Sequence, residues 1–95
     1  MTRIVIDADV VPRLSPHMRV RHDKARGQWT IQAPERSFVL DDIAHAIVTH
    51  CDGAASVAVI VTALCAAFPG APPEAVERDV TTLLQDLADK GVMTK

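Results

Sequence analysis

The feature that most constrains this chain is a change of hydrophobic period at Asp41. Upstream of it apolar side chains recur every second residue, and downstream every third or fourth. The first period fits a strand with one buried face, the second a helix with one buried stripe. Met18-Arg19-Val20-Arg21-His22 alternates apolar and basic, and Gln28-Trp29-Thr30-Ile31-Gln32-Ala33 puts Trp29, Ile31 and Ala33 on one face. Between them Asp23-Lys24-Ala25-Arg26-Gly27 supplies turn chemistry, so the two runs form a β-hairpin. Pro34-Glu35-Arg36 makes a second turn, and Ser37-Phe38-Val39-Leu40 a short third strand. A three-stranded antiparallel meander results.

Asp41 or Asp42 can cap the helix that follows, because a short carboxylate accepts from free first-turn amides. Ile43, Ala44, Ile47, Val48 and Cys51 form its stripe, and Gly53 is expected as its left-handed terminator. Ser56 caps a second helix with Val57, Ile60, Val61, Leu64 and Phe68 inward, ended by Pro69-Gly70. Pro72-Pro73-Glu74 opens a third, over 74–90, with Val76, Val80, Leu83, Leu84 and Leu87 as its apolar face and Gly91 as its stop. Val92-Met93 can add a terminal strand. No helix here buries its stripe alone, and the sheet has one apolar face, so three helices pack on a small sheet. The class is α+β and winged-helix-like, in the order β-β-β-α-α-α. Pro12 and Pro16 break any regular element before the first strand. Residues 1–15 are therefore read as a flexible arm or linker remnant, and 16–95 as the domain.

With 95 residues the chain makes one domain. Aromatic residues are 3% and tyrosine is absent, so the core is aliphatic and a site of stacked rings is hard to build. The longest apolar run, Val57 to Val61, is far short of the ~20 residues of a membrane span. Asp7 and Asp9 interrupt any apolar signal segment. The expectation is a cytoplasmic protein that does not engage a membrane. Cys51 and Cys65 fall at apolar helical positions and read as inert buried thiols.

Catalytic chemistry finds little purchase. His45 and His50 are five apart on one helix, where paired metal ligands are three or four apart. His17, His22, His45 and His50 read as solvated surface residues, and no metal or cofactor is expected. Asp41-Asp42 could be paired acid and base carboxylates, but at a strand-to-helix junction they read better as caps. The four glycines stand one per turn and make no phosphate cradle. No catalytic residue is assigned, which leaves a binding module.

Two partners compete. A winged-helix shape invites DNA and a role in transcription. Charge opposes it, because residues 1–40 hold seven basic and four acidic side chains, net +3, and residues 41–95 three and eight, net −5. The candidate recognition helix carries Glu74, Glu77, Asp79, Asp86 and Asp89 against Arg78 and Lys90. Phosphate contacts dominate DNA affinity and need cations. The alternative is an extended peptide added to the edge of the third strand, with the third helix as an apolar wall. Leu83 and Leu84 are adjacent and cannot both point inward. From spacing alone, a groove and a merely short edge beside core leucines are about equally good readings.

Three segments then resemble a known family. Arg19-Val20-Arg21-His22-Asp23 with Gln28-Trp29-Thr30-Ile31-Gln32-Ala33-Pro34-Glu35 is similar to its paired strands and their Pro-Glu turn. Leu40-Asp41-Asp42-Ile43-Ala44-His45-Ala46-Ile47, leading to Cys51-Asp52-Gly53, is similar to its first helix and Asp-Gly cap. Asp79-Val80-Thr81-Thr82-Leu83-Leu84-Gln85-Asp86-Leu87 is similar to its third-helix motif. The family is PqqD, the peptide chaperones of pyrroloquinoline quinone (PQQ) biosynthesis and prototype of leader-peptide recognition domains. Asp41 stands where members often have Asn. The resemblance implies a non-enzymatic adaptor that binds the PQQ precursor peptide by strand addition. It would present that peptide to a radical S-adenosylmethionine enzyme that crosslinks a Glu and a Tyr. Carried onto this chain, the binding edge would be Ser37, Phe38, Val39 and Leu40, and the wall Val76, Val80, Leu83, Leu84 and Leu87. The basic hairpin residues Arg19, Arg21, Lys24 and Arg26 are the candidate face for the enzyme. In some members the domain is fused to the last enzyme of the pathway, which would make the arm a linker.

Overall fold

The computed structural model describes residues 4–95. Its elements are β1 (Arg13–Leu14), β2 (Arg19–Asp23), β3 (Gln28–Gln32), β4 (Ser37–Leu40), α1 (Asp42–Thr49), α2 (Val57–Ala67), α3 (Pro73–Asp89) and β5 (Met93–Thr94). The order β2-β3-β4 forms an antiparallel meander, with Val20 opposite Ile31 and Ile31 opposite Phe38. This is the expected sheet, with three helices after it. Ile31 and Leu40 of its inner face are buried and join Ile47, Ile60, Val80, Leu84 and Met93 in one core cluster.

The caps follow from side-chain chemistry. Asp41 takes the first helix, its Oδ1 accepting from the Ala44 amide at 2.7 Å. Ser56 caps α2 through the Val59 amide at 3.3 Å. Gly91, at φ +76, follows the C-cap Lys90 of α3 as expected. Gly53 departs from its expected role. The first helix ends at Thr49 with His50 as C-cap, and Gly53 takes its φ of +80 in a turn beyond. That turn is made by Asp52, whose Oδ1 accepts from the amides of Ala54 and Ala55 at 2.9 and 3.3 Å. These bonds hold the Asp52 carboxyl below its usual range.

The larger correction concerns the N-terminal arm. Residues 1–3 of that expectation lie outside the described residues, but 4–15 are part of the domain and no loose tether. Ile6 and Val10 are buried in the core and Pro12 fully so. Main-chain carbonyls of this strap do what a helix start requires. Val10 O accepts from Val57 N at 2.8 Å and Ala8 O from Ala58 N at 3.1 Å. With Ser56, the first three amides of α2 are all satisfied. Gln85 of α3 clamps the strap from the other side, accepting from Ile6 N at 2.9 Å and donating to Ile4 O at 2.8 Å. The strap then pairs as β1 with β5, Leu14 opposite Met93, in a second small sheet.

This packing gives a direct expectation. Ile6→Ala should cost about 2–5 kcal/mol, as a buried Ile-to-Ala change does. Gln85→Ala should cost about 1–3 kcal/mol by orphaning two main-chain groups. Urea unfolding measures both. A detached arm would give no change for Ile6→Ala.

Candidate functional site

β4 lies at an open edge of its sheet, with β3 on one side only. In an antiparallel ladder, facing pairs alternate between exchanging two hydrogen bonds and none. Ala33 N donates to Arg36 O at 2.9 Å across the turn, so the bonded pairs that follow in register are Ile31 with Phe38 and Trp29 with Leu40. The main-chain groups of Ser37 and Val39 therefore point away from β3, to the open side. Side chains alternate the other way. Leu40 is buried and Phe38 half-buried, while Val39 is 63% exposed on the outer face of the sheet.

α3 runs antiparallel to β4. At the start of the strand Arg36 Nη2 donates to Lys90 O at 2.8 Å. The Arg36 guanidinium sits 5.0 Å, and the Lys90 ammonium 5.7 Å, from the centre of the Phe38 ring. Lys90 Nζ also bonds Asp86 Oδ2 at 2.9 Å. At the end of the strand Asp41 shares a shallow groove of about 430 Å³ with Ile43, Ala44 and Ile47 of α1 and Asp79, Thr82, Leu83 and Asp86 of α3. A deeper apolar cavity of about 120 Å³ adjoins it, lined by Ile43, Leu64, Phe68, Ala75, Val76 and Val80 among others.

The nine residues expected at the edge and the wall fall into two groups. Ser37, Phe38, Val39, Val76 and Leu83 reach the surface. Leu40, Val80, Leu84 and Leu87 are at most 5% exposed and belong to the core behind the wall: Leu40 lies on the inner face of β4, and Val80, Leu84 and Leu87 are the one stripe that α3 turns inward. Ile43, Phe68 and Asp79, absent from the sequence-based list, line the depressions instead. Ile43 is 55% exposed, at the mouth of both. Its position in the first turn, four residues ahead of Ile47 where the buried part of the stripe begins, was the available signal.

The basic hairpin lies on the outer face of the sheet, away from the groove between α1 and α3. Arg19, Arg21, Lys24 and Arg26 are all exposed. Arg21, Thr30 and Val39 stand in one cross-strand row, so the cations and the open edge belong to one outer face. Arg21 Nη1 reaches Gln32 Oε1 at 3.4 Å, and Arg26 Nε lies 4.0 Å from Asp23 Oδ2. His45 is not simply solvated. Its ring stacks on Trp29 at 4.0 Å and 12°, with His22 tilted against the same indole at 4.8 Å. This stack joins α1 to the sheet.

Cys51 is buried, its Sγ–H donating to Ile47 O at 3.3 Å. Burial, with help from the adjacent Asp52 charge, pushes its thiol up to about 12. It is a thiol at neutral pH and no nucleophile. Among the described residues no three His, Cys, Asp or Glu side chains stand together as a metal site, and no helix is long and apolar enough to cross a membrane.

Residues 28–93 match the family model described as coenzyme PQQ synthesis protein D (PqqD). A Rhodopseudomonas palustris protein named PqqA binding protein is 44% identical over 93 residues, 98% of this chain and 90% of that one. One of the same name from Xanthomonas campestris is 40% identical over 88 residues, 93% and 95% of the two chains. The solution structure of the PqqD truncation of Methylobacterium extorquens PqqCD, described as a functional, stand-alone recognition element for ribosomally made peptides, is 36% identical. It superposes with a TM-score of 0.81 over 95% of both chains. The crystal structure of PqqD from Xanthomonas campestris, 41% identical, gives 0.55 over 90% and 93%.

The environment of Cys51 predicts its chemistry. A thiol reagent at pH 8 should modify half-exposed Cys65 and spare Cys51 until the protein unfolds. Because the folded pKa is raised, the unfolded chain loses this proton first, so stability should fall as pH rises from about 9 toward 12. Cys51→Ala should remove that slope in urea titrations.

Proposed function

The chain belongs to the PqqD family, and on that premise we propose that it binds the ribosomally made PQQ precursor peptide as a strand added to β4. The observation that carries this is the open edge, where the main-chain groups of Ser37 and Val39 point away from β3, with the groove between α1 and α3 starting at Asp41 where the strand ends. Main-chain hydrogen bonds then supply affinity that depends little on sequence, and pockets beside the edge read alternate side chains. Leu83 and Ile43 form the surface of the wall, with Val80 and Leu84 as rigid backing. A free precursor is flexible, so part of the interaction energy is consumed in ordering it.

The domain acts as an adaptor and not as an enzyme, in the cytoplasm where its peptide is made. It holds the peptide for a radical S-adenosylmethionine enzyme and raises the effective concentration of the reacting segment. The exposed cations Arg19, Arg21, Lys24 and Arg26 are the face offered to that enzyme, and they leave the β4–α3 side to the peptide. Duplex DNA is not the partner, because α3 carries Glu74, Glu77, Asp79, Asp86 and Asp89 against Arg78.

Two proline variants test strand addition. Proline is tolerated at an edge where its missing N–H faced solvent. Val39→Pro should therefore keep helical circular dichroism and weaken a synthetic PqqA peptide about tenfold or more, through a lost hydrogen bond and a blocked approach. Phe38→Pro removes a ladder bond to Ile31 and should unfold the domain. Unchanged peptide affinity in Val39→Pro would rule out addition at this edge.

A further inference from the structure

The two depressions beside β4 are one surface, because Ile43, Ile47 and Asp79 line both. The shallow part flanks the end of the strand. The deep part reaches past it, among α1, α2 and α3. Its walls are apolar apart from Asp79, and at its mouth Ile43 and Phe68 stand 55% and 42% exposed. At about 120 Å³ it is close in size to an apolar cavity of roughly 150 Å³ that accepts benzene. It has room for most of one large apolar side chain.

Charge along this surface is ordered. At the start of β4 stand the cations Arg36 and Lys90. At its end stand Asp41 and Asp79. Asp86, between them, is paired with Lys90. Asp41 spends one oxygen on the Ala44 amide. Asp79 is exposed and forms no hydrogen bond or ion pair among the described residues. The surface thus runs from positive to negative in the direction of β4, and its negative end overlooks the cavity.

We propose that this cavity takes a second anchor of the bound peptide, a large apolar side chain next to a basic one, lying beyond the segment that pairs with β4. The apolar group fills the space between Ile43, Phe68, Val76 and Val80, and the cation meets Asp79 and Asp41. The basic part of the peptide then lies at the end of β4 and any acidic part toward Arg36 and Lys90, which fixes its direction on the edge. This rests on the peptide-binding reading above and adds the chemistry of the segment read. The occupant is the peptide because the cavity continues the groove of the strand edge. A second copy is disfavoured, since a two-fold contact would set Asp41 and Asp79 against themselves.

The test is calorimetric titration of wild type, Asp79→Lys and Ala75→Phe with a synthetic PqqA peptide and with the same peptide carrying Glu for every Lys and Arg. Ala75 lines the cavity, and a phenyl ring there fills it. Asp79→Lys should weaken the natural peptide about five- to tenfold, consistent with a partly desolvated charge pair, and should bind the glutamate peptide better than wild type does. Ala75→Phe should weaken the natural peptide several-fold without lowering the melting temperature. If Val39→Pro abolishes binding but both other variants bind like wild type, the second anchor is wrong and strand addition stands. If wild type binds no peptide, both readings fall. A peptide-free dimer that Ala75→Phe dissociates would give the cavity to a second copy and overturn the proposal.

Discussion

Val80, Leu84 and Leu87 form a buried stripe on α3, none more than 3% exposed, and the other elements are arranged to cover it. A chain with 3% aromatic residues must bury many branched aliphatic groups to make a core, since each supplies only about 1.5–3 kcal/mol on full burial. The cluster accordingly draws on every helix and on β3, β4 and β5. Committing one stripe of α3 inward fixes what the neighbouring stripe can be. Leu83, a step round the helix from Leu84, and Asp79, a step round from Val80, are left at the surface beside β4. The wall of the groove is a by-product of packing the core. The Arg36 bond to Lys90 O then sets how far the strand stands from the helix.

The N-terminal strap is the second structural commitment. It lends two carbonyls to the start of α2, where Ser56 satisfies one amide and Val57 and Ala58 still need acceptors. α2 has no charged residue to supply one. Without the strap those two donors would have water alone, and Ile6 and Val10 would expose their side chains. Gln85 bonds the strap at two atoms, so α3 orders the N-terminal segment as well as the groove.

Much of this was legible in the sequence because it depends on local periodicity. The alternation over 19–23, 28–32 and 37–40, the caps at Asp41 and Ser56, and the stop at Gly91 are each decided within a few residues. The strap was not legible for the same reason. Its buried positions, Ile6, Val10 and Pro12, follow no strand or helix period, and its partners Gln85 and Met93 lie some eighty residues away. The end of α1 was misplaced because Gly53 serves an Asp52 turn, which a lone glycine cannot announce. The division of the α3 leucines into core and surface needed the packed structure, since Leu83 and Leu84 differ only in angle about the helix. The meander order offered the strand edge and the family resemblance favoured it, but which side chains face it depends on that angle.

An unpaired strand edge also invites other chains, which makes β4 a standing hazard of aggregation. Two features limit it here. The strand is four residues long, so it offers only the main-chain groups of Ser37 and Val39. Pro34 and Glu35 precede it and Asp41-Asp42 follow it, so the ladder cannot extend in either direction. Two residues' worth of main-chain bonding is too little to hold an arbitrary strand. A partner must draw the rest of its affinity from the wall. The shortness of the edge thus works as a filter for solubility, leaving the protein open to a matched peptide and closed to zipping with its own kind.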